Sequence, residues 1–259
     1  MADLLFQATG FASGRLDLPI VQNVSDVLQT ARYEKDAYGH WAFYTDTPLV
    51  DKVNSKTLTL QSGAAIQPIY SNEGVALTNA MGSALLSDLV DGASTNVTAV
   101  FVAKTTNNGL YLLGMTLPPT ASTAENGAGL YLSADKAYLN VKPLAANNTG
   151  GVSGITTNQN IAQTGYSLVA ASIDKAKKTA LLYTMKGSTD AFVSTTFTSD
   201  YAASTKKLSV GNAYYTVGEF GTKTTFAEAI LYNKALSLTE LKLLASRTKF
   251  RLAQNGINI

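Results

Sequence analysis

Residues that could bind a sugar lie in two connections between predicted strands. Sugar binding needs a flat aromatic side chain for the C–H face of the ring, with amide or carboxylate groups for the hydroxyls. The candidates from these two connections are Asn107, Asn108, Asn212, Tyr214, Tyr215, Glu219 and Phe220. Asn147 and Asn148 lie in a third, asparagine-rich stretch. These residues predict carbohydrate binding, and the alternative is that they are ordinary turn residues with a surface tyrosine pair.

Glycan hydrolysis is the first enzymatic alternative. A retaining hydrolase needs two carboxyl groups about 5–5.5 Å apart. Glu34 and Asp36 have the closest suitable spacing along the chain, but they precede the first predicted strand. Glu219 and Glu228 could meet only through the fold. His40 is the single histidine, which favours a structural role over a catalytic one. We therefore predict a protein without enzymatic activity, and hydrolysis stays open as an alternative.

Metal chemistry is restricted by the absence of cysteine and the presence of a single histidine. Zinc sites are built mainly from these two residue types. Calcium requires only oxygen ligands, and the candidates for it are Asp46, Asp51, Asp88 and Asp91. No loop has the dense Asp/Asn spacing of a dedicated calcium site. We predict no cofactor and leave calcium open.

Composition narrows the class of partner. The chain has 259 residues, of which 46% are hydrophobic and 15% are charged, and its net charge is +2. This charge is too weak and too dispersed for a nucleic-acid partner, which requires a clustered basic surface. The first residues lack the basic and apolar regions of a secretory signal. No run of about 18 apolar residues occurs, so we expect no insertion into a membrane.

Short segments of alternating apolar residues, separated by Gly, Asn, Ser and Thr, predict an all-β fold. The clearest predicted strands are residues 96–104, 109–115, 129–133, 137–141, 165–173, 178–185 and 207–212. Residues 66–70 contain Pro68, which cannot donate to a β-ladder, so this segment is predicted to lie at a sheet edge.

The stretch from Phe226 to Phe250 closes the predicted fold. A strict two-residue period places Phe226 on the same side as Glu228, and both sides are largely apolar, which predicts a central strand. Ser237 has the position of a helix N-cap, and Glu240 completes a capping box. A short helix with Leu238, Leu241, Leu244 and Ala245 on one stripe is predicted to follow.

The segment from Ala227 to Glu240 (AEAILYNKALSLTE) resembles the closing strand and helix of laminin G-like domains in the concanavalin A-like superfamily. Weaker similarities in the same order extend over residues 41–250. The resemblance implies a two-sheet antiparallel jelly-roll β-sandwich of about 12–14 strands over residues 41–259. Relatives of this fold include lectins, glycan hydrolases and adhesion modules, so the fold does not determine the function.

Residues 1–40 are predicted to form a separate arm. Val21, Val24, Val27 or Leu28, and Ala31 recur at helical spacing, which indicates a short amphipathic helix. The helix could pack on its own domain or serve attachment or oligomerisation. The arm, the low charge and the absence of a signal resemble bacteriophage virion proteins, made in the host cytoplasm, that decorate heads or form tail fibres. That resemblance implies attachment to cell-surface glycans, contacts to other virion proteins through residues 1–40, and a homo-oligomer, with a trimer expected as in fibre proteins. A purely structural virion protein that binds other proteins is the alternative.

Overall fold

A computed structural model describes residues 33–62, 66–105, 110–113, 126–133, 135–143, 155–161, 165–214 and 220–259. Fifteen strands lie in this part of the chain. They are β1 Gly39–Ala42, β2 Thr59–Leu60, β3 Ile69–Ser71, β4 Gly74–Asn79, β5 Ser83–Val90, β6 Asn96–Thr105, β7 Leu110–Leu113, β8 Ala128–Ser133, β9 Lys136–Val141, β10 Ile155–Asn160, β11 Tyr166–Asp174, β12 Thr179–Lys186, β13 Thr189–Thr196, β14 Lys207–Asn212 and β15 Phe220–Tyr232. A single α-helix in the described residues, α1, covers Leu238–Ala253.

The strands form two sheets. The eight-stranded sheet has the order β13-β12-β11-β6-β15-β4-β3, and β1 also pairs with β15. The seven-stranded sheet has the order β10-β9-β8-β7-β14-β5-β2. Among the described pairs, β14 and β7 are parallel at Gly211 and Leu113, and the other pairs are antiparallel. The chain is therefore an all-β sandwich with a C-terminal helix. Strand β3, which follows Pro68, lies at one edge of the eight-stranded sheet, as predicted.

The main core lies between the sheets because each strand turns alternate apolar residues inwards. Trp41, Phe101, Leu139, Val210 and Phe226 all belong to this one buried cluster. The rings of Phe101 and Phe226 meet edge to face, with centroids 6.1 Å apart.

Strand β15 is central, as predicted, and pairs with β6 on one side and with β4 on the other. The predicted facing of Phe226 was wrong, because the register shifts between Phe226 and Glu228. This bulge places an extra residue in the strand. Phe226 therefore joins Ala229 and Leu231 in the inner core, whereas Ile230 and Tyr232 face the other way.

Helix α1 covers the outer face of the eight-stranded sheet. Ser237 Oγ accepts a hydrogen bond from the Glu240 backbone N–H, and the Glu240 side chain accepts one from the Ser237 backbone, which confirms the capping box. Leu241, Leu244 and Leu252 are buried in a second apolar cluster against this sheet. The helix ends at Ala253, three residues beyond the predicted stretch. None of the helices in the described part of the chain has the length and apolar character needed to cross a membrane.

Candidate functional site

The outer face of the seven-stranded sheet differs in chemistry from the face that α1 covers. In β9, Ala137, Leu139 and Val141 are buried in the core between the sheets. Because side chains alternate along a strand, Lys136, Tyr138 and Asn140 project to the outer side. Within the described residues, this face carries polar and aromatic side chains where the other sheet carries a packed helix.

The register of three neighbouring strands places polar and aromatic residues in rows across this face. Tyr138 of β9 lies opposite Tyr131 of β8 and opposite Asn158 of β10. Asn140 begins the adjacent row on β9. We call Tyr131, Tyr138, Asn140 and Asn158 the tyrosine–asparagine face.

The two tyrosine rings of this face are stacked. Their centroids are 4.8 Å apart and their planes differ by 6°. Tyr131 is only 8% exposed, whereas Tyr138 is half-buried and Asn158 is exposed. Burial, followed by the nearby Tyr138, raises the pKa of Tyr131 to about 12, although a hydrogen bond with Asn140 opposes the rise. The Tyr131 hydroxyl is therefore protonated at neutral pH, and its ring supports that of Tyr138.

A cavity opens at the end of β10, beside this face. Asn160, the last residue of β10, lies opposite Lys136 of β9. Asn160 also lines a cavity of about 240 Å³. The other lining residues are Ile161, Thr184, Lys186, Thr189, Asp190 and Ala191. Asn160 therefore belongs both to the ladder of β9 and β10 and to the lining of this cavity.

The loop residues predicted to bind sugar fall largely outside the described residues. Asn107, Asn108, Tyr215 and Glu219 are not described, and Phe220 is described only as the first residue of β15. Asn147 and Asn148, in the asparagine-rich stretch, also lie outside the described part.

Two of the predicted sugar-binding side chains can be placed. Asn212 is 1% exposed at the end of β14. The Tyr214 hydroxyl donates to the Lys207 carbonyl at 2.9 Å, and the Lys206 ammonium lies 4.7 Å from the centre of the Tyr214 ring. Both residues already contribute to the fold, and sugar binding by these loops stays a prediction.

Glu228, a hydrolase candidate, is buried beneath α1. Arg251 donates to both of its carboxylate oxygens, at 2.8 and 2.7 Å, and the Tyr44 hydroxyl donates to Oε1 at 2.9 Å. Burial alone would raise the pKa of Glu228, but Arg251 and His40 outweigh it and lower the pKa to about 2. This carboxylate stays ionised at neutral pH and is not placed to donate a proton to a substrate.

His40 belongs to the same buried cluster. Its Nδ1 accepts a hydrogen bond from the Glu34 backbone N–H at 3.0 Å, so Nε2 carries the proton and faces Glu228 Oε2 at 3.2 Å. Burial lowers the pKa of His40 below its ordinary value, although Glu228 opposes this effect. A neutral imidazole with both nitrogens engaged has a structural role here.

Of the other described acid candidates, Glu34 is engaged in the fold. Glu34 forms a two-point ion pair with Arg247, at 3.0 and 2.6 Å, whereas Asp36 is exposed. This pair joins the last part of the predicted arm to α1, and residues 1–32 of that arm lie outside the described residues.

Three of the four aspartates considered for calcium are engaged in other contacts. Asp51 accepts backbone N–H groups of its own turn, and Asp88 pairs with Lys56. The buried Asp91 lies 3.0 Å from the Lys175 ammonium, which occupies the place that a cation would take. Within the described residues, no group of three or more acids or histidines could hold a metal ion.

The sequence contains a signal for the tyrosine–asparagine face, but by itself that signal predicts only a hairpin. Residues 136–142 read KAYLNVK, with polar and apolar residues in strict alternation. The predicted hairpin of residues 129–133 and 137–141 corresponds to β8 and β9. Tyr131, Tyr138 and Asn158 lie opposite one another only through the register of β10, which is not among the predicted strands.

Comparison with known proteins identifies the fold. No protein-family model matches the chain, and no curated protein matches it. Among solved structures, the chain is similar to the botulinum neurotoxin serotype D binding domain, with 9% identity, a TM-score of 0.56, and coverage of 82% of this chain and 52% of that one. The binding domain of Paraclostridial Mosquitocidal Protein 1 gives 10% identity and a TM-score of 0.56, with coverage of 83% and 53%.

A third similar structure contains a sugar. It is the botulinum neurotoxin serotype D ligand binding domain in complex with N-acetylneuraminic acid, with 11% identity, a TM-score of 0.55, and coverage of 82% of this chain and 51% of that one. This chain spans about half the length of the chains it matches. At these identities, the similarity supports the β-sandwich fold and does not assign a ligand.

Proposed function

We propose that this protein is a non-enzymatic glycan-binding module with a concanavalin A-like, laminin G-like jelly-roll fold. The observation that carries the proposal is the stacked pair of Tyr131 and Tyr138 in register with Asn158 on an outer sheet face. Glycans bind through C–H contacts to an aromatic ring and hydrogen bonds to hydroxyls. Tyr138 supplies the ring, and the exposed Asn158 amide supplies both a donor and an acceptor.

The similar solved structures support glycan binding in a general way, through the similarity of their fold to this one. One similar chain is named as a botulinum neurotoxin binding domain and another as the binding domain of a mosquitocidal protein. The neurotoxin serotype D domain was also solved with N-acetylneuraminic acid. A β-sandwich similar to this one can therefore carry a sugar site, which is compatible with the proposal. Glu228 and His40, two of the residues considered for catalysis, are buried in a salt-bridge network, which favours binding over hydrolysis.

The test is glycan binding by the full-length chain and by single variants. Y138A and N158A should each lose most of the binding of the wild-type chain to an immobilised glycan panel. Y70A is the matched control, because Tyr70 is an exposed tyrosine on β3 of the other sheet. The proposal is overturned if the wild-type chain binds no glycan, or if Y138A binds as well as Y70A.

We also propose, on the resemblance to phage proteins, that the protein is carried on a virion and that residues 1–40 attach it there or assemble it into an oligomer. Antibodies raised against the purified chain should label phage particles. Deletion of residues 1–32 should lower the oligomeric mass in solution or abolish incorporation into particles. Particles that lack the chain would contradict the virion assignment without affecting glycan binding.

A further inference from the structure

The segment of residues 33–38, which we call the strap, is held against β15, α1 and His40. The Tyr38 backbone N–H donates to a carbonyl of β15 at 2.8 Å, and the Glu34 carboxylate pairs with Arg247 of α1. The Glu34 backbone N–H donates to Nδ1 of His40 at 3.0 Å. Among these contacts, the one to His40 depends on an imidazole, a group that changes its protonation state near neutral pH.

The contact between the strap and His40 exists only while Nδ1 carries no proton. A backbone N–H can only donate, so Nδ1 must supply a lone pair, and Nε2 carries the proton that faces Glu228. If Nδ1 takes up a second proton, two donors face each other where one hydrogen bond stood. His40 is 0% exposed, so bulk water cannot accept the new N–H while the strap stays in place. Protonation of His40 therefore acts against the closed strap.

Charged groups from three elements surround the imidazole. Glu228 of β15 lies 3.2 Å from Nε2 and favours the imidazolium, whereas Arg251 of α1, which binds the same carboxylate, opposes it. The Glu34 carboxylate of the strap also favours the imidazolium, although less than Glu228 does. Burial outweighs both acids and lowers the pKa of His40 below its ordinary value of 6.5.

The other neighbours of His40 engage atoms other than Nδ1. The ring of Tyr33, in the strap, meets the imidazole edge to face with centroids 5.0 Å apart. Asp51 accepts the His40 backbone N–H at 2.6 Å, and the Tyr44 hydroxyl donates to Glu228. The Glu34 backbone N–H is therefore the hydrogen-bond partner that the described residues provide for Nδ1.

We propose that His40 and the strap form a pH-sensitive clamp, which is closed at neutral pH and opens in mildly acidic surroundings when Nδ1 takes up a proton. The Nε2–H contact to Glu228 is kept in both states, and the opened strap lets water accept the new Nδ1–H. The opening moves Tyr33, the residue through which residues 1–32 join the sandwich. Acid therefore loosens the attachment of the N-terminal arm and leaves the two sheets intact. This inference is independent of glycan binding.

The sign and steepness of the effect follow from proton linkage. The closed strap lowers the pKa of His40, and the open strap removes the obstacle at Nδ1. The clamp is therefore fully effective above pH 6.5 and weakens as the pH falls towards the lowered value. Because one proton is taken up, the ratio of open to closed strap rises by at most about tenfold for each pH unit.

Hydrogen exchange of the full-length chain between pH 7.5 and pH 5 measures the opening. After correction for intrinsic exchange rates, the protection of the Glu34 amide should fall at least about tenfold over this range. The imidazole ¹⁵N resonances should show that Nδ1 is protonated over the same range. Small amounts of urea should leave the exchange of the Glu34 amide unchanged, because a local opening exposes little surface, and should speed the exchange of β11 amides.

Two variants separate the imidazole from the ion pair. H40N should keep the strap closed at pH 5, because the asparagine amide oxygen can accept the Glu34 N–H near the position of Nδ1 and does not titrate. R247M is the matched control, since it removes the partly exposed pair to Glu34 and leaves the imidazole in place. It should speed exchange of the strap about two- to fivefold at every pH and keep the dependence on pH.

The clamp is overturned if protection of the Glu34 amide in the wild-type chain is equal at pH 7.5 and pH 5. It is also overturned if H40N keeps the wild-type dependence on pH, if R247M abolishes that dependence, or if urea speeds exchange of the strap as much as that of β11. Should H40N fail to fold, the wild-type chain decides alone. Midpoints of strap opening and of imidazole protonation that differ by more than about one pH unit would then refute the clamp.

Discussion

Replacing Arg251 by methionine should destabilise the fold strongly, because the substitution leaves Glu228 buried without its guanidinium partner. Glu228 is fully buried, and Arg251 supplies two of the hydrogen bonds to its carboxylate. Methionine keeps much of the length and the apolar stem of arginine. The loss should therefore reflect the charge pair rather than a cavity.

The size of the effect can be estimated in two ways. The pKa of Glu228 is about 2 in the fold, against an ordinary value of 4.5. That difference corresponds to about 3 kcal/mol of stability at neutral pH, present above pH 4.5 and lost as the pH falls towards 2. Removing one partner of a buried pair typically costs about 3–5 kcal/mol. We therefore expect R251M to lose about 3–4 kcal/mol at pH 7.

The sign of the pH dependence makes the prediction specific. Without Arg251, burial should dominate and raise the pKa of Glu228, so that the folded variant takes up a proton. The wild-type chain loses stability as the pH falls below 4.5, whereas the penalty in R251M fades as its Glu228 becomes neutral. The difference between the two proteins should therefore shrink between pH 7 and pH 4.

Urea denaturation followed by the fluorescence of Trp41, the only tryptophan and a fully buried one, measures this difference. R247M is the matched control, because the Arg247 side chain is 37% exposed and its pair with Glu34 should contribute about 1 kcal/mol or less. The double variant E228L/R251M should recover much of the lost stability. A loss below about 1 kcal/mol for R251M, or one that is the same at pH 7 and pH 4, would refute the reasoning.

Three further predictions concern stability. Because the pKa of the buried His40 is lowered, the stability of the fold should decrease as the pH drops below 6.5, the ordinary pKa of histidine. H40Q should flatten this part of a plot of urea midpoint against pH, and an unchanged slope would contradict the prediction. S237A should cost about 1 kcal/mol through loss of the helix cap, seen as a lower Tm, and a Tm equal to that of the wild type would argue against it. G74A should prevent folding or destabilise the fold severely, because a Cβ at this position, where φ is +133°, would clash with the Phe226 carbonyl oxygen. G82A should cost only about 1 kcal/mol, because Gly82 has a φ of +84° and its Cβ would enter open space. Similar losses of stability for both variants would contradict the steric explanation.

Local patterns predicted those parts of the fold that depend on short-range rules. The capping box at Ser237 and Glu240 is encoded within four residues, and the β11–β12 hairpin follows from two alternating apolar runs around a polar turn. Such features need no knowledge of distant partners. The all-β sandwich and the central position of β15 follow from the same reasoning.

Features that depend on distant residues were not predicted. The bulge after Phe226 is set by pairing with β6, more than 100 residues earlier, so a strict two-residue period misplaced that side chain. The pairing of Glu228 with Arg251 was also missed, since an acid in an apolar strand gives no indication of its partner.

The residues of the candidate site also depend on pairing between distant segments, which the sequence alone did not predict. Aromatic and amide residues in loops were easy to identify, and they directed the prediction to Tyr214 and its neighbours. Tyr138 and Asn158 are separated by 20 residues and by a stretch outside the described part of the chain, and only the register of β9 and β10 brings them together. The alternation of KAYLNVK indicated which residues face outwards but not what lies beside them.

The position of β15 has a consequence for the nascent chain. This strand lies between β6 and β4, yet it is the last of the fifteen described strands to leave the ribosome. Until it has been synthesised, β6 and β4 cannot share a sheet, and each keeps one unsatisfied hydrogen-bonding edge. Exposed edges of this kind recruit other strands. Protection of the growing polypeptide, by chaperones or by fast completion of translation, therefore matters most in the interval just before residues 220–232 emerge.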